Sequence, residues 1–304
     1  DETLSDAARR AAQARRPLPR TGVAFVDSAL RGALRPRDVL EVVAEAGAVG
    51  AATRVLLTAA ASAAVAGVAV LLIDAGGRVD GAAVEAAVRR RLLEVGATHV
   101  APRQVVTNVL LQRVSGATQL LLAIKALPEV MEQHNSAPGA APLRLLIIDA
   151  VGSSYWTERA AATGGGAAAA RPPPPPLQQA QQAQQAPRSS PLALHSAYPA
   201  LARDVHGAAR ALQLAVMCSR PTVYRLKPRE VEAGALFAEF LPHAWQQAAT
   251  HRLVLSEAPC GGGFDRDAQW SESRRYVASW DRPTRLSPRQ FVFNQHGGGV
   301  RMIS

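Results

Sequence analysis

Continuous apolar runs alternate with amphipathic stretches along the first half of the chain. Asp38–Val43 (DVLEVV) has the composition of a short buried strand. Gly50–Ala66, rich in Ala and Leu, predicts a buried helix. Val68–Ile73 is an apolar run of strand length that ends at Asp74. Gly81–Val95 repeats Val84, Val88, Leu92 and Val95 at helical spacing, opposite the wet face Arg89–Arg91. Asn108–Val114 follows as a strand. Gly116–Gln133 is a helix with Leu120, Ile124, Leu127 and Met131 on one face, and Leu143–Ile148 is a strand closed by Asp149. Strand, helix, strand in repetition predicts right-handed βαβ units, and strands apolar on both faces predict a parallel sheet covered by helices on either side.

The second half is more broken. Ala160–Ser190 strings together GGG, AAAA, PPPPP and QQAQQAQQA. It has too few apolar side chains to offset the entropy of ordering and is expected to be disordered. A helix over about Leu192–Leu212 and a strand over Leu214–Ser219 resume the pattern. Pro221–Pro242 is expected to be loop with a short helix near Ala233–Phe240, before a strand at Leu253–Ser256. Cys260–Pro288 is a polar, Arg-rich insertion. Phe291–Asn294 and Val300–Ile303, joined through Gly297–Gly299, predict a C-terminal antiparallel hairpin. The expected organisation is a flexible segment over 1–30 and one core domain over 31–304, interrupted at 160–190 and 259–288. Val55–Ile73 is uncharged and approaches the length of a membrane span. A buried helix running through Gly67 into a buried strand accounts for it better, so no membrane association is expected. No signal peptide is visible at the N-terminus, and the opening Asp1 leaves room for an upstream segment.

Charge adds a candidate partner. The formal net charge is +10, an excess that favours acidic partners, nucleic acid among them. Only Lys125 and Lys227 are lysines, so the charge is almost all arginine, and an Arg- and Ala-rich composition would also produce it. Cys218 and Cys260 are the only cysteines, too few for the disulfide framework of a small secreted protein, so a reduced intracellular setting is expected. The seven histidines show no zinc-ligand spacing, and no metal site is expected.

Candidate chemistry sits where strands end. In an open α/β sheet, ligands bind at the carboxyl ends of the strands. The turn Ala44–Thr53 (AEAGAVGAAT) stands where a phosphate loop would read GxxxxGK[ST]. It keeps Gly47, Gly50 and Thr53, but Ala52 replaces the lysine and the glycine spacing is off. Asp149, after its apolar strand, resembles the acid that orients magnesium, although an Asp there also serves as a cap or turn residue. Loss of the lysine is costly for phosphoryl transfer, which depends on electrostatic stabilisation.

Several segments together resemble the RecA-like recombinase paralogues. LLIIDAVGSSYWTER (Leu145–Arg159) joins the acid-ended strand to a Tyr-Trp pair. LPHAWQQAATHRLVLSE (Leu241–Glu257) joins Trp245-Gln246-Gln247 to His251-Arg252 and a strand. The order of DVLEVV, VLLIDAGG, TQLLLAIKAL, LLIIDA, LAVMCS, THRLVL and FVFNQHGGGV also agrees, so the resemblance spans roughly residues 30–304 outside the insertions. It implies a RecA-like P-loop NTPase core, α/β, with a mostly parallel central sheet flanked by helices. It implies a nuclear DNA repair protein of homologous recombination, acting on double-strand breaks and in meiosis. Its implied partners are other recombinase paralogues, paralogue D first and then B and C, and single-stranded or branched DNA.

The departures shape the expected activity. Active family members carry an acid two residues after the Asp that ends the second strand, and here Gly76 stands there. With the lysine also lost, the expectation is no hydrolysis and no required cofactor, leaving room for weak ATP and magnesium binding through Gly47, Gly50, Thr53 and Asp149. The family's two DNA-facing loops map to about Trp156–Ser190 and Pro221–Leu241. The second carries Arg220, Tyr224, Arg225, Lys227 and Arg229, cations with an interleaved aromatic that suit phosphate contact and base stacking, or a solvated basic loop. Tyr155 and Trp156, just past a strand end, are a candidate partner interface. Two alternatives stay open: a DNA-dependent ATPase using Arg54 as its cation, and a scaffold that binds only protein.

Overall fold

The computed structural model describes residues 17–162, 194–222, 237, 239–258, 275–282, 289–293 and 300–302. Among them a single nine-stranded sheet organises the chain. Its strands are β1 (Val39–Ala44), β2 (Ala69–Asp74), β3 (Val109–Arg113), β4 (Leu143–Asp149), β5 (Ala215–Pro221), β6 (His251–Glu257), β7 (Arg275–Arg282), β8 (Arg289–Phe293) and β9 (Val300–Met302). They lie in the order β3-β2-β4-β5-β1-β6-β7-β8-β9. The first six in that order are parallel. The last three pair antiparallel, with β8 and β9 as the expected terminal hairpin. The protein is thus α/β with a mostly parallel sheet.

The apolar runs read as two-sided strands because both sheet faces are covered. On one face Leu40, Val42, Val70, Leu72, Leu145 and Ile147 pack with the helix α2 (Val49–Val65) and the short helix α1 (Ala24–Ala29). On the other, Val39, Leu71, Ile73, Leu146 and Ile148 pack with α5 (Gly116–Lys125), α8 (Leu194–Ala211) and α9 (His243–Ala248). Alternate residues of each strand point to opposite layers, as the pleat dictates. The amphipathic stretch forms α3 (Gly81–Glu94), capped by the Asp80 side chain, and α4 (Pro102–Val106) follows it. The membrane-length segment divides into α2 and β2 as expected. Ala46–Val65 is apolar enough to cross a membrane, yet 72% of that window is buried inside the fold.

The structure corrects four sequence expectations. The helix expected over Gly116–Gln133 is two helices, α5 and α6 (Leu127–Asn135), because Pro128 lacks an N–H and fits only the first turn of a new helix. The flexible segment does not reach residue 30: Leu18, Val23, Phe25 and Val26 are buried, and the Leu18 N–H donates to the Leu34 carbonyl at 2.9 Å. The insertion expected over 259–288 contains β7, which pairs with β6 and buries Tyr276, Ala278 and Trp280, all on one face, in the core. Helical structure runs past residue 160, since α7 spans Tyr155–Ala162. Residues 163–190 of the low-complexity stretch lie outside the described residues, as does most of the short helix expected near Ala233–Phe240.

Candidate functional site

The rim at the carboxyl ends of β1, β2, β4 and β5 gathers most of the candidate residues. After β1, a single 3-10 turn (Ala46–Ala48) leads into α2, so Gly47 and Gly50 lie at the start of the helix and Thr53 one turn inside it. The two glycines are not equivalent. A side chain at Gly47 would collide with the Glu257 carboxylate from the end of β6, whereas nothing stands within 4 Å of a side chain at Gly50. Burial pushes the Glu45 carboxyl at the head of this turn above its ordinary range. The turn that would cradle phosphate therefore has two carboxylates beside it.

Strands β2 and β4 pair in register up to Asp74 and Asp149, placing both acids side by side at the rim. Asp74, fully buried, accepts from the backbone N–H groups of Gly76, Arg78 and Val79, each at 3.1 Å, and its charge faces Arg113 Nε at 3.5 Å. Three bonds from one carboxylate wind Ala75–Val79 into a tight loop. Gly76 sits where a side chain would press on the Ala150 Cβ at 2.9 Å, so an acidic side chain has no room there. The loop turns Arg78 back over the rim, and its guanidinium bridges Thr53 and Asp149. Nε donates to Thr53 Oγ1 at 3.2 Å and Nη2 to both Asp149 oxygens at 3.3 Å.

Asp149 itself is 1% exposed and fully engaged. Thr53 Oγ1 donates to it at 3.2 Å and Ser219 Oγ, from β5, at 2.6 Å, while the Ala150 N–H donates to Ser219 Oγ at 2.8 Å. Ala150 adopts φ +65°, a left-handed conformation that costs a non-glycine residue about 1 kcal/mol or more. Thr53 and Asp149, expected to act together, are brought together; Gly47 and Gly50 flank them. These residues do not fit a magnesium nucleotide as they stand. Arg78 caps the hydrogen-bonded hydroxyl and carboxylate, and among the described residues no lysine faces the turn. Arg54, the cation of the alternative ATPase reading, is exposed on α2, and it is Arg78 that pairs with Asp149. Among the described residues no cluster of His, Cys, Asp and Glu suits a metal ion.

A second polar cluster lies beneath the rim. Glu41 occupies the middle of β1, fully buried, between its register partners Cys218 and Arg252. It accepts from Arg220 Nε at 2.8 Å, Trp245 Nε1 at 2.7 Å and Arg252 Nε at 2.5 Å. Arg220 also grips Glu239 with both terminal nitrogens, at 2.9 and 3.1 Å, and its guanidinium lies over the Phe237 and Phe240 rings. Burial works to raise the Glu41 pKa, but the two arginines and the indole outweigh it and hold the carboxyl below its usual range. Burial also raises the Cys218 thiol well above its ordinary value, leaving it protonated and inert.

This cluster corrects one expected DNA contact. Arg220 is 0% exposed and committed to two carboxylates, so it braces the fold and does not face solvent. Tyr224, Arg225, Lys227 and Arg229 lie outside the described residues. The Tyr155-Trp156 pair, half-buried, joins an aromatic group. The Tyr155 ring lies 4.9 Å from Trp156, 5.3 Å from Tyr198 and 5.3 Å from Phe240, and Arg159 stacks over Trp156 at 5.3 Å. A cleft of about 550 Å³ lined by Arg20, Asp27, Arg31 and Arg91 lies apart from all these residues.

Sequence reasoning missed Arg78, Ser219, Glu257, Glu41, Arg252 and Glu239. Two left a signal. The Gly76-Gly77 pair after Asp74 marks a chain reversal that returns the next side chain to the rim. The acid Glu41 inside the apolar run VLEVV marks a buried charge in need of partners. No protein-family model matches the chain, and no curated protein does.

Proposed function

We propose that the protein is a RecA-like core that serves homologous-recombination DNA repair as a non-catalytic subunit, assembling with other recombinase paralogues and contacting single-stranded or branched DNA in the nucleus. The observation that carries this reading is the Thr53–Asp149 pair. These two residues come from the helix after β1 and the end of β4, with β5 between the two strands, and they meet at the carboxyl rim. That is where the hydroxyl and acid of a P-loop NTPase belong, in a chain whose motif order resembles the recombinase paralogues. Replacement of the phosphate-loop lysine by Ala52 and of the water-activating acid by Gly76 supports a role without hydrolysis. The net charge of +10 supports a polyanionic partner. Partners of this reading are paralogue D first, then B and C.

Co-purification with these paralogues, followed by titration of fluorescent single-stranded DNA at several salt concentrations, tests it. The affinity is expected to fall steeply with salt. Replacing Arg225 and Lys227 together by Ala should reduce the slope of log K against log salt by about 1.4, two phosphate contacts' worth. A salt-independent response would favour a protein-only scaffold. Brisk DNA-stimulated ATP hydrolysis by the purified protein would overturn the non-catalytic reading.

A further inference from the structure

We infer that Arg78 is a built-in cation: its guanidinium permanently caps the directly hydrogen-bonded Thr53–Asp149 pair, where a divalent metal would sit beside hydroxyl and carboxylate, so the rim is assembled without metal or nucleotide. The inference rests on reading the rim as the remnant of a phosphate-and-metal site.

Three independent features make Arg78 a fixed occupant. Its backbone N–H is tied to Asp74, so the loop that presents it is held by a carboxylate that is itself 0% exposed. The same guanidinium reaches both Thr53 Oγ1 and Asp149, the two groups that would share a metal, at 3.2 and 3.3 Å. Gly76 leaves no side chain between the loop and Ala150, so the guanidinium and the β4 end close on each other. On the neighbouring turn the Glu257 carboxylate lies against Gly47, where a phosphate would approach. Cation and anion positions are thus both filled from within the chain. A planar guanidinium carries one charge on a spread of donors, matching a carboxylate and a hydroxyl together. A magnesium ion would need octahedral oxygen ligands at about 2.1 Å and would have to displace it.

Metal binding to the isolated protein reads this out without DNA or partner, so its failure is separate from failure of the repair role. Thermal unfolding is followed for wild type, Arg78→Ala and Arg78→Gln with and without manganese or magnesium chloride, and bound manganese is measured by electron paramagnetic resonance. Wild type is expected to take up no manganese and to keep its Tm. Arg78→Ala should melt about 5 °C or more lower, because Asp149 loses its counter-charge in a buried site. It should regain part of that loss in millimolar manganese, with signal from bound ion. Arg78→Gln is shorter but keeps two N–H donors without charge, and gives the same comparison if the alanine variant fails to fold. Manganese uptake by wild type equal to that of the variants would overturn the inference. So would a Tm loss in both variants that no metal restores, which would make Arg78 an ordinary ion-pair residue.

Discussion

Glu41 shows how much a single residue can organise here. Its carboxylate satisfies Arg220, Arg252 and Trp245 at once, and through Arg220 it reaches Glu239, within the segment expected to meet DNA. Glu41→Ala would take from two buried guanidiniums the carboxylate they share, leaving among the described residues only the Glu239 carboxylate for Arg220 and only that of Asp281 for Arg252, and the expected cost is about 3 kcal/mol by urea unfolding at neutral pH. The pH dependence follows from the direction of its shift. A carboxyl held below its ordinary value of 4.5 contributes stability that is present above that value and is lost as pH falls through the lower, folded one. The gap between wild type and Glu41→Gln is therefore expected to be widest at neutral pH and to shrink below pH 4.5. A constant gap across that range would mean that the folded Glu41 is not the charged partner of the two arginines. Arg220 was legible only as a cation in a polar stretch. Its burial follows from being the sixth residue of a central strand, next to Glu41's strand, a relation that exists only after β5 has been slotted beside β1.

At the scale of elements, α2 is the clearest case of composition serving packing. Ala51, Ala52, Ala59, Ala60, Ala61, Ala63 and Ala64 are all nearly inaccessible, so the helix backbone can lie close against the sheet and against α3. A larger side chain has nowhere to go. Ala60→Leu is expected to cost about 1–3 kcal/mol through overpacking, whereas Ala82→Leu, on the exposed start of α3, should stay within about 0.5 kcal/mol of wild type. Matched denaturation curves for the two variants check this, and equal stability would show slack in the α2 layer. The long apolar runs made β2, β4 and α2 readable in advance, because a strand buried on both faces needs no partner to be recognised. β7 was not readable: its alternation (Tyr276, Ala278, Trp280 inward) sits in an arginine-rich stretch, and only pairing with β6 gives the inward set something to cover. The rim was half readable for the same reason. Thr53 and Asp149 are marked by strand and helix ends and Arg78 by the glycine pair before it, while Glu257 reaches the site through a tertiary contact alone.

For the whole molecule, the question is what the low-complexity stretch contributes to holding the domain together. It connects α7 to α8, two helices already joined by the Tyr155–Tyr198 ring contact at 5.3 Å. From Tyr155 to Ala162 is about 10 Å along a helix and from Tyr198 back to Leu194 about 6 Å, at 1.5 Å per residue. An eight-residue Gly/Ser linker in place of residues 163–193 spans up to about 27 Å when extended, enough to join the two ends in any arrangement that keeps the rings in contact. Loop-closure entropy grows only as (3/2)RT ln n, so the shortening should stabilise the fold by about 1 kcal/mol. The shortened protein is therefore expected to match or slightly exceed wild type in chemical denaturation, with the Glu41 cluster and the rim unchanged. A loss of several kcal/mol would mean that the Pro/Gln-rich stretch packs on the sheet and its helices. It would then count as part of the domain, against its composition. If stability holds while paralogue or DNA affinity falls, the stretch belongs to the assembly and not to the fold, and that result would place the binding surface beside α7 and its Tyr155-Trp156 pair.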